Sequence, residues 1–411
     1  MYWVSLIKIL PMNILFDQTE AQASYYNGAA EYAQTIFLKM VSELEHYPNV
    51  TIYSLYNSNK SFRYPAVAPD KLTQYSHVQS VDYRNKSITE IIEEYKIDLL
   101  FVTCTQAFCD LSIGNLNKLP CKVVTVIHDM YVEEMALSQI EYLHYLKHPG
   151  RLIYNLLGRI KVRLFSGKYT SRGRLMKNFI ETNDTTIIAV SEYTKRSIEY
   201  HYPQWASRVR IFASPMKVCT EQSNKIENKE LQKLIKNNTK YYLFLSADRI
   251  TKNGERMMNA FYHFTQQYEQ NAVIVTTGYK RSKYSNHIAL PFLSSSDIDN
   301  ACKHCLALLY PSLFEGFGYP PIEVMRYGKP VISSFACSMP EILGDSPTYF
   351  APIYETSIYD ALCRFQMKDY KEECDKAQRQ YEKIRQHQQT DLEKLTTMLL
   401  DGTFIKNNLE A

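Results

Sequence analysis

Two glutamates eight residues apart, Glu315 and Glu323, bracket the run Gly316-Phe317-Gly318 and the pair Pro320-Pro321. Glycines here let a ligand approach the backbone closely. Prolines suit a first helical turn, where a missing N–H costs nothing. Free N–H groups at such a helix start, together with its dipole, favour an anion. A carboxylate at the same spot repels phosphate, so Glu323 suits sugar hydroxyls better; the alternative is a solvated capping residue. A second cluster, Arg249 and Lys252 in ADRITKNGER, puts cations between a strand and a helix, the layout for gripping a diphosphate. Cys302 and Cys305 form a CxxC in a helical pattern without a second ligand pair, which argues against structural zinc. No GxGxxG occurs, so a dinucleotide cofactor is disfavoured.

Positioning these residues takes strands and helices in alternation. Apolar runs at 12–17, 50–56, 97–103, 122–127, 185–190, 241–246, 272–277, 306–310 and 330–334 read as strands. Helical patterns fall at 28–44, 88–95, from 192 to 200, inside 213–239, in 292–301, from 320 to 328, and from 370 onward. Residues 57–85 are poorly patterned and read as loop. Alternation of this kind predicts parallel sheets, with ligands beyond the carboxyl ends of the strands. Residues 213–239 are polar and lysine-rich and mark a domain boundary. The expected domains are 1–215, 216–390 and a C-terminal helix, 391–411, packing back on the first.

The segment PSLFEGFGYPPIEVM, followed by YGKPVI and MPEILGD, resembles the donor site of glycosyltransferase family 4. The resemblance implies a GT-B fold, α/β, with two Rossmann-like doubly wound domains facing across a cleft. It implies a retaining transfer of a hexose from a nucleotide-diphosphate sugar, which serves as donor substrate, with no cofactor and no metal. It places Glu323 on the ribose and Glu315 near the donor sugar. Gly316, Phe317 and Gly318 then line the donor loop, and Lys252 matches the family's lysine. Arg249, three residues before it, stands in for an arginine that the family commonly carries five before, where this chain has Ala247. His128, in the shared His-Asp after KVVTVI, would touch a hydroxyl of the donor sugar or the acceptor. Gly28, in YYNGAAEY, would bring its backbone near the donor phosphates, although Asn27, Ala30 and Glu31 depart from the pattern. Ser191 matches a segment at the domain cleft and is also placed to be a helix N-cap. Asp297 and Asp299 open a helix and are not expected to hold metal.

Bulk composition is that of a globular protein, with 411 residues, 45% hydrophobic and 22% charged. Its length suits two domains. A formal charge of +4 does not point to nucleic acid. Nine cysteines in so long a chain read as free thiols of a reducing, cytoplasmic compartment. The opening YWVSLIKIL is too short to span a bilayer, and Met12 is a candidate start. Residues 142–180 hold nine Lys or Arg and no Asp or Glu, with Arg151, Asn155, Arg159 and Arg163 every four residues. That basic amphipathic pattern suits an anionic membrane surface, where a lipid-linked sugar acceptor would lie; a glycan acceptor is the other option. Two further readings fit the same resemblance, a non-catalytic sugar-binding GT-B subunit and a GT-B sugar-nucleotide epimerase.

Overall fold

The computed structural model describes residues 11–22, 28–131, 133–134, 173–217, 225–279 and 284–406. The chain divides into two compact units. One comprises Met1–Val190, Thr194–Val218 and Gln388–Ala411; the other comprises Ser191–Tyr193 and Cys219–His387.

In the first unit the order of elements is β1 (Met12–Asp17), α1 (Gly28–Glu43), β2 (Val50–Tyr56), α2 (Pro69–Leu72), β3 (Val78–Asp82) and α3 (Ile88–Glu94). Then come β4 (Leu99–Val102), α4 (Thr105–Cys109), β5 (Lys122–Ile127), β6 (Thr185–Ala189), α5 (Glu192–His201, whose first two residues are counted with the second unit) and β7 (Val209–Ile211). These strands form one sheet in the order β3-β2-β1-β4-β5-β6-β7, and every pairing is parallel. Interior strands of a parallel sheet are covered on both faces, so they are apolar throughout. β4 and β5 are buried at every position. Leu15, Leu100, Val123 and Ile187 pack with Ile88, Ile91 and Phe179 on one face, while Phe16 meets Phe37 and Phe101. α3 starts with a capping box, Ser87 and Glu90 bonding each other's backbone N–H, which fixes its first turn. Residues 57–85, expected as loop, contain α2 and the edge strand β3. β3 escapes the periodicity because only Val78 and Val81 are buried.

The second unit runs α6 (Lys229–Lys236), β8 (Tyr241–Phe244), α7 (Gly254–Gln267), β9 (Val273–Thr277), β10 (His287–Leu290) and α8 (Ser295–His304). It continues through β11 (Ala307–Tyr310), α9 (Tyr319–Met325), β12 (Val331–Ser334), α10 (Met339–Leu343), β13 (Thr348–Phe350) and α11 (Glu355–Gln366). Its sheet has the order β10-β9-β8-β11-β12-β13, again parallel throughout. Tyr242, Phe244, Phe261, Phe264, Leu309 and Ile332 form the centre of its core. α12 (Tyr370–Leu400) gives its residues up to His387 to this unit and those from Gln388 to the first. There Asp391 accepts a bond from Ala213 N at 2.7 Å, and the Gln388 amide donates to Ser214 O at 2.6 Å. A short α13 (Thr403–Lys406) follows. Among the described residues no helix is long and apolar enough to cross a membrane. Of the basic segment 142–180, residues 142–172 lie outside the described residues, and 173–180 are helical.

Candidate functional site

In an open parallel sheet the loops diverge where the chain reverses its direction of strand addition, and ligands bind there beyond the carboxyl ends. In the second unit that point lies between β8 and β11. The loop after β8 carries Arg249 and Lys252; the loop after β11 carries Glu315 to Gly318. Leu313 N donates to Thr251 O at 2.7 Å, which ties the two loops together.

Lys252 is buried, and its ammonium is held by two groups. Nζ donates to the Tyr310 hydroxyl at 2.9 Å and forms a short ion pair with Glu315 Oε1. It also lies 4.5 Å from the centre of the Tyr310 ring. Glu315 Oε1 accepts from the Ser312 hydroxyl as well. Burial, with the Glu315 carboxylate next, drives the Tyr310 hydroxyl well above the ordinary phenol range, so it stays protonated. Arg249 is exposed, and its guanidinium charge reaches Tyr310 and opposes that rise. Glu323 is half-buried on α9, and its charge also reaches Tyr310.

Gly316, Phe317 and Gly318 are all buried. Gly318 is the N-cap of α9 at φ 87° and ψ 72°, a left-handed conformation that favours glycine. The expected helix from 320 to 328 is shorter, Tyr319–Met325. Its second and third residues are Pro320 and Pro321, which carry no N–H. The first turn therefore offers fewer amide donors than its position suggests.

Sequence reasoning missed a set of hydroxyls beneath this loop. Ser338 Oγ donates to Glu315 O at 2.9 Å, and Ser334 Oγ donates to Ser312 O at 2.6 Å. Ser191, counted with this unit, donates to Gly316 O at 2.8 Å. Its side chain thus anchors the glycine loop. The first amides of α5, Glu192 N and Tyr193 N, instead bond the two oxygens of Glu341 at 2.8 and 2.9 Å. Asp297 accepts from Glu227 N and Asn228 N, and Asp299 bonds the Tyr327 hydroxyl and Arg326. Both carboxylates have structural partners.

The first unit holds the other two residues singled out. His128 follows β5, with Nε2 2.9 Å from Thr103 O, so that nitrogen carries the proton and donates. Its ring meets Tyr32 edge-on at 5.1 Å between centroids. Desolvation lowers its pKa to about 4, the Thr103 bond opposing, so the imidazole is neutral at pH 7. Nδ1 has no hydrogen-bond partner among the described residues. Gly28 is exposed at the first position of α1. This sheet reverses between β1 and β4. There a cavity of ≈ 800 Å³ is lined by Thr19, Glu20, Lys60, Phe62, Arg63 and Asp110, among others. Beneath it Asp17 is fully buried, its Oδ1 holding Thr19 by the backbone N–H (3.0 Å) and the hydroxyl (2.6 Å). Burial raises the Asp17 pKa to about 6 against those bonds.

Residues 225–356 match the family described as glycosyl transferases group 1, a span that includes every site residue of the second unit except Ser191. Three 61-residue stretches of Escherichia coli serotype-specific mannosyltransferase WbdA sequences are each 39% identical to this chain, covering 15% of it and 7–8% of WbdA. Alpha-1,3/1,6-mannosyltransferase ALG2 of Kluyveromyces lactis is 22% identical over 254 residues, half of each chain. The chain thus spans half or less of the curated relatives it matches. Among solved structures, Anabaena HepE in complex with UDP superposes with a TM-score of 0.61 at 12% identity, covering 94% of this chain and 99% of that one. The chain therefore carries a group 1 glycosyltransferase domain at residues 225–356, and its fold is that of the GT-B glycosyltransferases.

Proposed function

We propose that this protein is a retaining hexosyltransferase that uses a nucleotide-diphosphate sugar as donor. The observation that carries the proposal is the Lys252–Glu315 pair beneath a buried glycine loop, at the switch point of the second sheet. Lys252 and Arg249 hold the diphosphate and stabilise the charge that builds on it as the sugar leaves. Glu323 accepts hydrogen bonds from the ribose, and Glu315 faces the donor sugar. Mannosyltransferase relatives and UDP-bound neighbours of the fold support a nucleotide-sugar donor.

The acceptor, a glycan or a lipid-linked sugar, binds the first unit in the cavity at the ends of β1, β2 and β4; His128, which follows β5 and is not among the residues lining that cavity, contacts a sugar hydroxyl beside it. Catalysis proceeds without a divalent ion, because cations of the chain sit where an ion would otherwise neutralise the diphosphate. Segment 142–180 docks the protein on the inner, anionic face of a membrane. The test is transfer from UDP-, GDP- and dTDP-sugars, with and without excess EDTA. Turnover with one donor, unaffected by EDTA, fits the proposal. Failure with all three would sink the donor assignment, and recovery only with Mg²⁺ or Mn²⁺ would refute the metal-free step.

A further inference from the structure

Tyr310 closes β11 with its side chain 1% exposed, at the foot of both donor-site loops. Phenylalanine would fill the same volume, so packing alone does not require the hydroxyl. A buried hydroxyl without partners is costly, and this one is satisfied by an ionised group, the Lys252 ammonium. It accepts from Lys252 Nζ at 2.9 Å, and that ammonium is itself paired with the Glu315 carboxylate. It also lies 3.7 Å from the point where a Cβ on Gly318 would stand.

We propose that Tyr310 is a positioning residue, holding Lys252 in place for the donor diphosphate. A buried lysine and glutamate left alone attract strongly and spend their hydrogen-bonding capacity on each other. The phenol oxygen accepts from the same ammonium that the carboxylate holds, so Lys252 is fixed from two sides and not by Glu315 alone. An ammonium has three N–H groups. Tyr310 takes one and Glu315 Oε1 another, which leaves the third for a phosphate oxygen. The Lys252 and Ser312 bonds both fall on Oε1, so Glu315 Oε2 takes part in neither. The inference rests on the donor site proposed above, yet the hydroxyl's hold on Lys252 can be read without any donor.

The first measurement is calorimetric titration of the full chain with GDP, UDP and dTDP. It compares wild type, Tyr310→Phe, Lys252→Met and the double variant, each checked for an unchanged melting temperature. Loss of one hydrogen bond to a charged group predicts about tenfold weaker binding for Tyr310→Phe. In the Lys252→Met background the same change should cost nothing further, since its effect passes through Lys252. Wild-type binding by Tyr310→Phe, or the same loss in both backgrounds, overturns the proposal. If wild type binds none of the three nucleotides, the donor reading fails and the second measurement decides. There, acetic anhydride labelling of Lys252 is followed by mass spectrometry, with exposed Lys240 as internal standard. A severalfold rise in labelling in Tyr310→Phe supports the positioning role; an unchanged rate overturns it.

Discussion

Gly318→Ala tests the loop geometry on which the donor site depends. At φ 87° and ψ 72° the backbone lies beyond the centre of the left-handed well. An L-residue there costs about 1–2 kcal/mol. The new methyl would also stand 2.4 Å from Met339 Cε and 3.0 Å from its Sδ. Met339 is 1% exposed, so its flexible end has little room to retreat, and overpacking of this kind costs about 1–3 kcal/mol. The two effects together predict a loss of about 3 kcal/mol in the second unit. Trp205 sits in the first unit and cannot report that loss by fluorescence. Hydrogen exchange of the β11 and β12 amides can, and 3 kcal/mol corresponds to exchange faster by about two powers of ten.

A second substitution separates the two costs. Met339→Val removes the sulfur and its methyl; alone it leaves a cavity. In the Gly318→Ala background the new methyl occupies part of that space, so Met339→Val should cost about 1 kcal/mol less. The backbone strain stays in both. Gly316 does not have a positive φ, so Gly316→Ala carries none of the backbone cost and serves as control. If Gly318→Ala exchanges within twofold of wild type, the loop is not left-handed at 318 and the reasoning fails.

Glu323→Ala should leave the fold intact and lower kcat/KM by about 2–4 kcal/mol of transition-state stabilisation, as loss of one preorganised contact does; wild-type turnover would remove Glu323 from the donor site. Asp17 gives a pH test. Its folded pKa, about 6, lies above the unfolded value, so its contribution is complete below pH 4 and lost as pH rises through 6. Asp17→Asn keeps an oxygen for Thr19 and removes the buried charge, so in urea unfolding it should gain about 2 kcal/mol over wild type at pH 8 and nothing at pH 4. Equal gains at both values would contradict the assignment. In liposome flotation, binding through 142–180 should need anionic lipid, fall as salt rises, and weaken in an Arg151/Arg159/Arg163→Glu variant. Indifference to anionic liposomes at low salt would favour a soluble acceptor.

Sequence periodicity found the nine interior strands of the two sheets and missed four: β3, β7, β10 and β13. All four are edges. An interior parallel strand is buried on both faces and must be apolar throughout. An edge strand has one exposed flank, so VQSVD in β3 carries no continuous run and HIAL in β10 only a short one, with its two middle residues half-exposed. The same physics separates what was legible in the donor site from what was not. Glycines, prolines and charges interrupt an apolar pattern, so Lys252, Glu315, Gly318 and Glu323 stood out. Ser312, Ser334 and Ser338 are ordinary loop or strand-end residues by type, and their roles appear only when the loops are folded over them.

Tyr310 and Asp17 both lie inside strands expected from the sequence, and their roles were hidden all the same. Tyrosine at the end of LALLY passes as one more apolar residue, because its ring completes the buried run and the hydroxyl adds no signal. Aspartate at the end of MNILFD falls inside the expected strand, yet its type gives no sign that it is fully buried beneath the loops. Both are the last residue of a strand beside the point where its sheet reverses, β11 next to β8 and β1 next to β4. At that position the strand's side chain ends under the diverging loops, where a polar group meets loop backbone and side chains in place of core. Asp17 there fixes Thr19, and Tyr310 fixes Lys252. The final residue of a strand flanking a switch point should therefore be read by its polar atoms, even when the strand's apolar run takes it in.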